Sequence, residues 1–197
     1  GIYRKGTKNK VMIDLTRKGL PDHVIVAGKS FLLNTDFREW LKFSKEITKK
    51  DTNITNLLGV VQNVTLLDFF KNQDEFISKL LEFYTNENST PNMESNDRTK
   101  VIDYIQDGEY IVGSFMSAYG IDLTTCDMHW HMFLALFRCL PEDTKIKQII
   151  SMRSYKKDNT SYDTQCRKLK TAWELPQEID AVDSEILDGI NEEFYNC

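Results

Sequence analysis

The stretch from residue 107 to residue 153 constrains the fold of this chain more than any other part. It reads DGEYIVGSFMSAYGIDL and then, after four residues, MHWHMFLALFRCLPEDTKIKQIISMR. Apolar side chains recur at helical spacing, and Gly120 and Pro141 stand where helices are expected to end. The stretch therefore predicts two or three amphipathic helices that pack and bind, without a catalytic signature. The expected starts of these helices are Asp107, Thr124 or Thr125, and Asp143.

The rest of the chain predicts more helices and one hairpin. Residues 23–27 are rich in β-branched side chains, residues 28–29 suit a turn, and residues 30–33 suit the returning strand. Because an isolated hairpin is marginal in water, we expect the next helix, which begins after capping candidates at residues 34–36, to carry it. The fold class is mainly α, a multi-helix bundle with a small N-terminal β-hairpin. Further apolar or helical segments are predicted at residues 54–70, 74–84 and 162–173.

Composition divides the chain into three predicted parts. Residues 1–11 contain few apolar side chains and two glycines, so we expect a disordered arm or an expression scar. Residues 12–176 are expected to form a single helical domain, with a flexible loop at residues 85–100, where almost every side chain is polar. Residues 177–197 place apolar side chains at helical spacing among carboxylates, which predicts an acidic amphipathic C-terminal helix.

Charge and hydropathy exclude several classes of protein. The net charge is −5, which argues against a nucleic-acid-binding domain. The first sixty residues carry a surplus of six positive charges, which we interpret as a solvated arm. No apolar run approaches the roughly 20 residues that a membrane helix needs. The four scattered cysteines are typical of reduced thiols rather than a disulfide framework.

Residues that often bind metals or perform nucleophilic catalysis are present, but not in the required pattern. His129 and His131 are two positions apart in a predicted helix, where their side chains point about 200° apart and cannot share one ion. Cys126 and Cys139 have no spacing that builds a Cys–His pair. We therefore predict no catalytic residue, no metal site and no cofactor.

Four carboxylates lie close together in sequence, at Asp107, Glu109, Asp122 and Asp127. Paired carboxylates can perform acid–base chemistry or hold Mg²⁺. Helix capping explains Asp107 better, and Asp127 suits the first turn of a helix, where negative charge is favoured.

Six aromatic residues within 28 positions exceed what short helices need for packing on each other. They can form a core, or some can line an apolar surface that receives a partner helix. We predict the second role, with some of the six belonging to the core, and we expect Arg138 and Arg153 to pair with acidic groups of the partner. The predicted recognition residues are Tyr110, Phe115, Tyr119, Trp130, Phe133 and Phe137.

Four segments resemble a family from tailed bacteriophages of Gram-positive hosts, the bacteriophage gene-product-fifteen family. They are LTRKGLP…VIVAGKSFLLNTDFREWLKF, EYIVGSFMSAYGIDL, MHWHMFLALFRCLPEDTKIKQIISMRS and the short KLKTAWELP. They cover most of residues 12–176 in the family's order. The chain departs from the pattern at His131, where Trp or another aromatic residue is expected, and in the tail from Gln177 onward.

The resemblance implies a role in phage or prophage tail morphogenesis. Members are encoded just before the tape-measure gene, which implies a non-enzymatic tail assembly chaperone in the host bacterial cytoplasm. The implied partner is the tape-measure protein, with the major tail protein as a second candidate; a homo-oligomer is left open, and no nucleic acid or membrane is implied. One alternative is a structural tail component of the virion. Another is a small hydrolase or toxin-like enzyme built around His129, Asp127 and Glu109.

Overall fold

The computed structural model describes residue 13 and residues 15–49, 51–86, 101–155 and 163–175. Within these ranges it contains eight α-helices and one two-stranded antiparallel sheet. This confirms the predicted fold, mainly α with a small N-terminal β-hairpin. The predicted arm at residues 1–11 and the predicted acidic helix at residues 177–197 lie outside the described residues.

The hairpin consists of β1, His23–Val26, and β2, Lys29–Leu32. Ala27 and Gly28 join the strands with φ of 48° and 77°, as a two-residue type I′ turn requires. The sequence predicts the turn one residue later, at residues 28–29. That prediction is wrong, because Lys29 already pairs with Val26 as the first residue of β2.

The hairpin packs against α4, Gln73–Thr85, and not against the next helix in the chain as the sequence predicts. The rings of Phe31 and Phe76 meet edge to face with centroids 4.8 Å apart, and the backbone N–H of Ala27 donates to Glu75 Oε2 at 3.1 Å. The supporting helix is more than 40 residues away in sequence, which local spacing does not reveal. Helix α4 includes Thr85, the first residue of the predicted loop at residues 85–100; residues 87–100 of that loop lie outside the described residues.

Helix α1, Phe37–Ile47, begins at the predicted capping run. Asp36 accepts a hydrogen bond from the backbone N–H of Arg38 at 2.8 Å, which satisfies one of the donors left free at a helix start. Phe37, Trp40 and Phe43 then fall on one buried face. The cap and the spacing together make this helix readable from the sequence.

The apolar segment predicted at residues 54–70 is broken in the structure. It forms α2, Ile54–Leu57, a 3₁₀ turn at Leu58–Val60, and α3, Leu66–Lys71. Between the last two, the backbone bridges from Val61 to Leu33, so the chain briefly runs beside β2. Because the segment bends at these points, α3 is a separate helix of only six residues.

The remaining helices are α5, Gly108–Tyr119, α6, Trp130–Arg138, α7, Lys145–Ser154, and α8, Asp163–Trp173. Gly120 ends α5 with φ of 67°, which confirms the predicted left-handed stop. The predicted caps at Thr124 or Thr125 are wrong, because His129 occupies the N-cap of α6. Helix α7 starts after Thr144 and not at Asp143.

Asp107 and Arg153 form a buried ion pair that joins the start of α5 to the end of α7. Arg153 Nη1 and Nη2 donate to the two carboxylate oxygens of Asp107 at 2.6 and 2.9 Å. Arg153 also donates to the carbonyls of Trp173 and Val101. Asp107 stands at the N-cap of α5, which confirms the predicted start of the helix, but its side chain makes no capping hydrogen bond, so the predicted capping role is wrong. Arg153 is 5% exposed and bonded within the fold, so the prediction that it pairs with a partner is wrong as well. The two groups are 46 residues apart in the sequence, with helix α6 between their helices, so no local pattern shows that they meet.

Candidate partner-binding surface

Four of the six predicted recognition residues lie in the core. Phe115 and Trp130 have 0% of their surface exposed, and Phe133 and Phe137 have 1%. In this conformation their rings cannot touch a partner. They pack in the core, which is the role that the sequence predicts for some of the six residues.

These buried rings form a continuous stack around Phe133. Its ring lies 4.9 Å from Phe37 on α1, 5.4 Å from Phe115 on α5 and 5.7 Å from Trp130, with interplanar angles of 15° or less. Trp130 Nε1 also donates to the carbonyl of Tyr84 on α4 at 2.8 Å. Four helices thus meet at this stack, which explains the density of aromatic residues in the sequence.

Tyr110 and Tyr119 are half-buried on α5. The Tyr110 ring meets Trp173 edge to face at 5.7 Å, and Tyr119 Oη donates to the carbonyl of Leu136 at 2.9 Å. Burial raises the pKa of Tyr119, so its hydroxyl stays a neutral donor. The role of these two residues in partner binding stays a prediction.

His129 and His131 adopt an arrangement that a helical reading misses. His129 is extended at the N-cap, so the two rings lie 5.1 Å apart. His129 Nδ1 accepts from the His131 backbone N–H at 3.0 Å, and its Nε2 lies 2.8 Å from the Pro21 carbonyl, which identifies Nε2 as the protonated nitrogen. The premise that the rings point apart is therefore wrong.

The His131 ring is fully buried and packs at 4.3 Å on Phe83. Its Nε2 donates to the Phe83 carbonyl at 2.8 Å, while Nδ1 has no partner among the described residues. Burial lowers the pKa of His131 to about 4, so the imidazole is neutral near pH 7. In the part of the chain that the structure describes, no group of three or more metal-ligating side chains occurs.

Glu109 and Asp127, the two carboxylates of the alternative enzyme site, lie in separate parts of the structure. Glu109 is exposed in the first turn of α5, and Asp127 is exposed in the segment that precedes α6, outside any helix, contrary to its predicted place in a first turn. Asp122 accepts from the backbone N–H and the hydroxyl of Thr124 at 2.8 and 2.6 Å, bonds that lower its pKa. Asp122 therefore organises the turn that precedes α6.

Large apolar side chains are exposed on α3. Leu66, Leu67 and Phe70 have 57%, 64% and 58% of their surface exposed, and we call these three residues the α3 patch. Phe69 alone points inward, to Phe76 at 5.9 Å. The sequence contains a signal for this patch: four of the six residues of α3 are large and apolar, which is more than the single inward face of so short a helix can bury.

Polar contacts hold α3 in place. Its N-cap, Thr65, accepts from the Asp68 backbone N–H at 3.1 Å and donates its hydroxyl proton to Asp68 Oδ2 at 2.7 Å. Lys29 Nζ lies 3.3 Å from the same carboxylate. The Thr65 bond and then Lys29 lower the pKa of Asp68, so the carboxylate is ionised at neutral pH. The contact of Phe69 with Phe76 and the ion pair of Asp68 with Lys29 therefore hold α3 in place while the α3 patch stays exposed.

A comparison with protein-family models matches residues 18–175 to the family described as bacteriophage Gp15 protein. Neither the curated proteins nor the solved structures gave a match. Among the described helices, none has the length and apolar character needed to cross a membrane.

Proposed function

This chain belongs to the bacteriophage Gp15 protein family, and from that premise we propose that it is a non-enzymatic tail assembly chaperone that binds the tape-measure protein. It acts in the host bacterial cytoplasm, before the tail tube closes around the tape measure. The proposal needs an accessible apolar surface and no reaction centre.

The observation that supports this proposal most directly is the α3 patch. Three large apolar side chains, each more than half exposed, stand next to one another on a single short helix. Contiguous exposed apolar surface on a folded protein marks a site of interaction more often than chance exposure. The interior, in contrast, is filled by well-packed rings, so binding does not require the core to open.

A chaperone of this kind works by covering apolar stripes reversibly. A long helical tape measure exposes such stripes and aggregates when nothing covers them. A small patch gives modest affinity, because association costs several kcal/mol before any surplus appears. Modest affinity lets the incoming tube protein displace the chaperone.

Co-expression tests the proposal. The full chain is produced together with the tape-measure protein from the same phage genome, and the soluble fraction of the tape measure is measured. We expect it to rise several-fold above the level obtained with an unrelated acidic helical protein. An equally insoluble tape measure in both cases overturns the proposal.

Purified phage particles separate a chaperone from a structural tail component. A chaperone is expected to be absent from the mature particle, so mass spectrometry should find the tube and tape-measure proteins without this chain. Its recovery at a fixed ratio to the tube protein contradicts the chaperone role and supports the structural alternative.

A further inference from the structure

We propose that the surface of α5 and α7 that holds the end of α8 is a docking site for the end of a partner helix, and that α8 is a strap that this helix displaces. The partner helix carries an aromatic residue in its last turn. We call the surface the strap site; it consists of Tyr110, Lys145 and Arg153. Its use by a helix of the tape measure rests on the proposed function, whereas the site itself rests on the contacts of α8.

Helix α8 lies on α7 with little of its own surface buried. Of residues 164–173, seven are exposed, none is buried, and three are half-buried: Cys166, Lys170 and Trp173. Helices α6 and α7, of nine and ten residues, each bury five side chains. Lys170 Nζ donates to the Tyr155 carbonyl at 3.0 Å, a bond at the edge of the helix. Because elements with few buried contacts open at a lower free energy than the core, α8 detaches more readily than α6 or α7.

The last residue of α8, Trp173, makes most of the contacts that hold the helix. Its ring meets the Tyr110 ring edge to face with centroids 5.7 Å apart, and Lys145 Nζ lies 4.7 Å from its centroid. Arg153 Nε donates to its carbonyl at 2.7 Å. Leu175, two positions later, is buried and secures the same end. The strap is therefore fastened at its end, so a change at Trp173 should loosen the whole helix.

The strap site keeps its shape without α8, because other contacts hold α5 and α7 together. Arg153 Nη1 and Nη2 donate to the two carboxylate oxygens of Asp107 at 2.6 and 2.9 Å. At the other end of the two helices, the backbone N–H of Ile146 donates to Ser114 Oγ at 3.5 Å. A site that is formed in advance binds its occupant without the free-energy cost of reorganisation.

Two features of the strap site define the chemistry of its occupant. The last carbonyls of a helix have no partner within the helix and carry the negative end of its dipole. Arg153 places a cation at this position and already binds such a carbonyl, that of Trp173. Tyr110 and Lys145 contact the edge and the face of a ring. A helix that ends in Trp, Tyr or Phe therefore makes the same contacts as α8.

Hydrogen exchange of the full chain tests whether α8 detaches. We expect the amides of residues 167–173 to exchange at least about 100-fold faster than those of residues 134–138 in α6. Trp173→Ala should accelerate exchange in α8 at least about 5-fold more and leave α6 unchanged. The matched control is Leu169→Ala, which changes an exposed side chain of the same helix and should have no effect. Equal protection of α8 and α6, or no response to Trp173→Ala, overturns the strap.

A synthetic peptide tests whether the strap site accepts a helix from another molecule. The peptide has the sequence of residues 163–175 with Cys166→Ser, which prevents oxidation. Fluorescence anisotropy should show at least about 10-fold tighter binding to the Trp173→Ala chain than to the wild type, because the tethered strap no longer competes. A control peptide that also carries Trp173→Ala should bind at least about 10-fold more weakly. Equal binding of the peptide to both chains, or binding that does not need its Trp, overturns the site.

The co-expression assay with the Trp173→Ala chain separates this inference from the proposed function. The variant should solubilise at least about 2-fold more tape measure than the wild type, because its strap site is open. If the wild type solubilises the tape measure and the variant does no better, the chaperone role stands and the inference falls. If neither chain raises its solubility, the chaperone role falls, and the tape-measure helix falls with it as the occupant.

The oligomeric state distinguishes a partner helix from a second copy of this chain. We expect the wild-type chain and Trp173→Ala to have the same mass in solution by light scattering, because each α8 occupies its own strap site. A wild-type dimer that becomes a monomer in the variant would mean that two copies exchange α8, and the assignment of the site to a partner would be wrong.

Discussion

The ring stack around Phe133 and the α3 patch show two opposite uses of large apolar side chains. Trp130 in the stack is fully buried, whereas Phe70 in the α3 patch is 58% exposed. The sequence is richest in aromatic residues where four helices converge, and there the rings are consumed by packing. A stretch dense in aromatic residues therefore indicates that several helices pack together there. It does not identify the surface that binds a partner.

Helix length explains the difference. Helix α6 has nine residues and buries Trp130, Phe133 and Phe137 at spacings of three and four on one face. Helix α3 has six residues and buries only Phe69. Its other large apolar residues have no inward position left. A helix that has more large apolar residues than inward-facing positions exposes the rest, and these exposed side chains are available for recognition.

The largest expected effect comes from removing a ring from the stack. Trp130→Ala should lower the free energy of unfolding by about 3–5 kcal/mol, because it leaves a cavity among Tyr84, Phe133 and Tyr104 and frees the carbonyl of Tyr84. Urea unfolding followed by circular dichroism measures it. A loss below about 1 kcal/mol would show that the stack is not the core.

A loss of similar size is expected when the buried ion pair is broken. Arg153→Met should cost about 3–5 kcal/mol, because Asp107, 2% exposed in its side chain, keeps a charge without its partner. Replacing both, with Arg153→Met and Asp107→Leu, should restore part of that stability. The contrast is Lys29→Met beside the α3 patch, which breaks a solvent-exposed pair and should change stability little. If Lys29→Met is as harmful as Arg153→Met, burial does not set the stability contribution of these two ion pairs.

His131 makes the stability of the stacked region depend on pH. Burial lowers the pKa of His131 from its ordinary value of 6.5 to about 4 in the folded protein. At a pH between these two values, the unfolded chain therefore binds a proton that the folded chain does not bind. Stability is fully present above about pH 6.5 and falls by about 3 kcal/mol as the pH drops to 4. The check is the difference in unfolding free energy between the wild type and His131→Phe at several pH values. On acidification the wild type should lose stability relative to His131→Phe. A difference that does not change with pH contradicts a buried neutral imidazole.

Local signals in the sequence predicted local structure well. The Asp36 cap, the Gly120 stop and helix α8, expected at residues 162–173 and found at Asp163–Trp173, all follow from residue type and helical spacing. The resemblance of the quoted segments to the phage family agrees with the match over residues 18–175. These features depend on neighbours within a few positions, so one sequence is enough to predict them.

Features that depend on distant contacts were not predicted. The Asp107–Arg153 pair and the seating of the hairpin on α4 join residues more than 40 positions apart. Helical spacing places His129 inside a helix, because nothing local shows that its ring reaches the Pro21 carbonyl. The α3 patch is hidden for a different reason: the sequence predicts one apolar segment over residues 54–70, and the apolar excess of α3 is averaged over that segment.

The smallest expected effect on stability completes the comparison. Leu67→Ser should change the free energy of unfolding by less than about 0.5 kcal/mol, since the side chain is mostly in water already. Phe70→Ser should cost up to about 1 kcal/mol, because the Phe70 ring also meets the buried Phe69 ring edge to face at 5.6 Å. Urea unfolding of each variant beside Trp130→Ala measures this difference directly. A loss of about 2 kcal/mol at either position would mean that the residue is packed in solution, and the α3 patch would then be unavailable to a partner. A small change in stability combined with weaker solubilisation of the tape measure separates a recognition surface from a core, which the density of rings in the sequence does not.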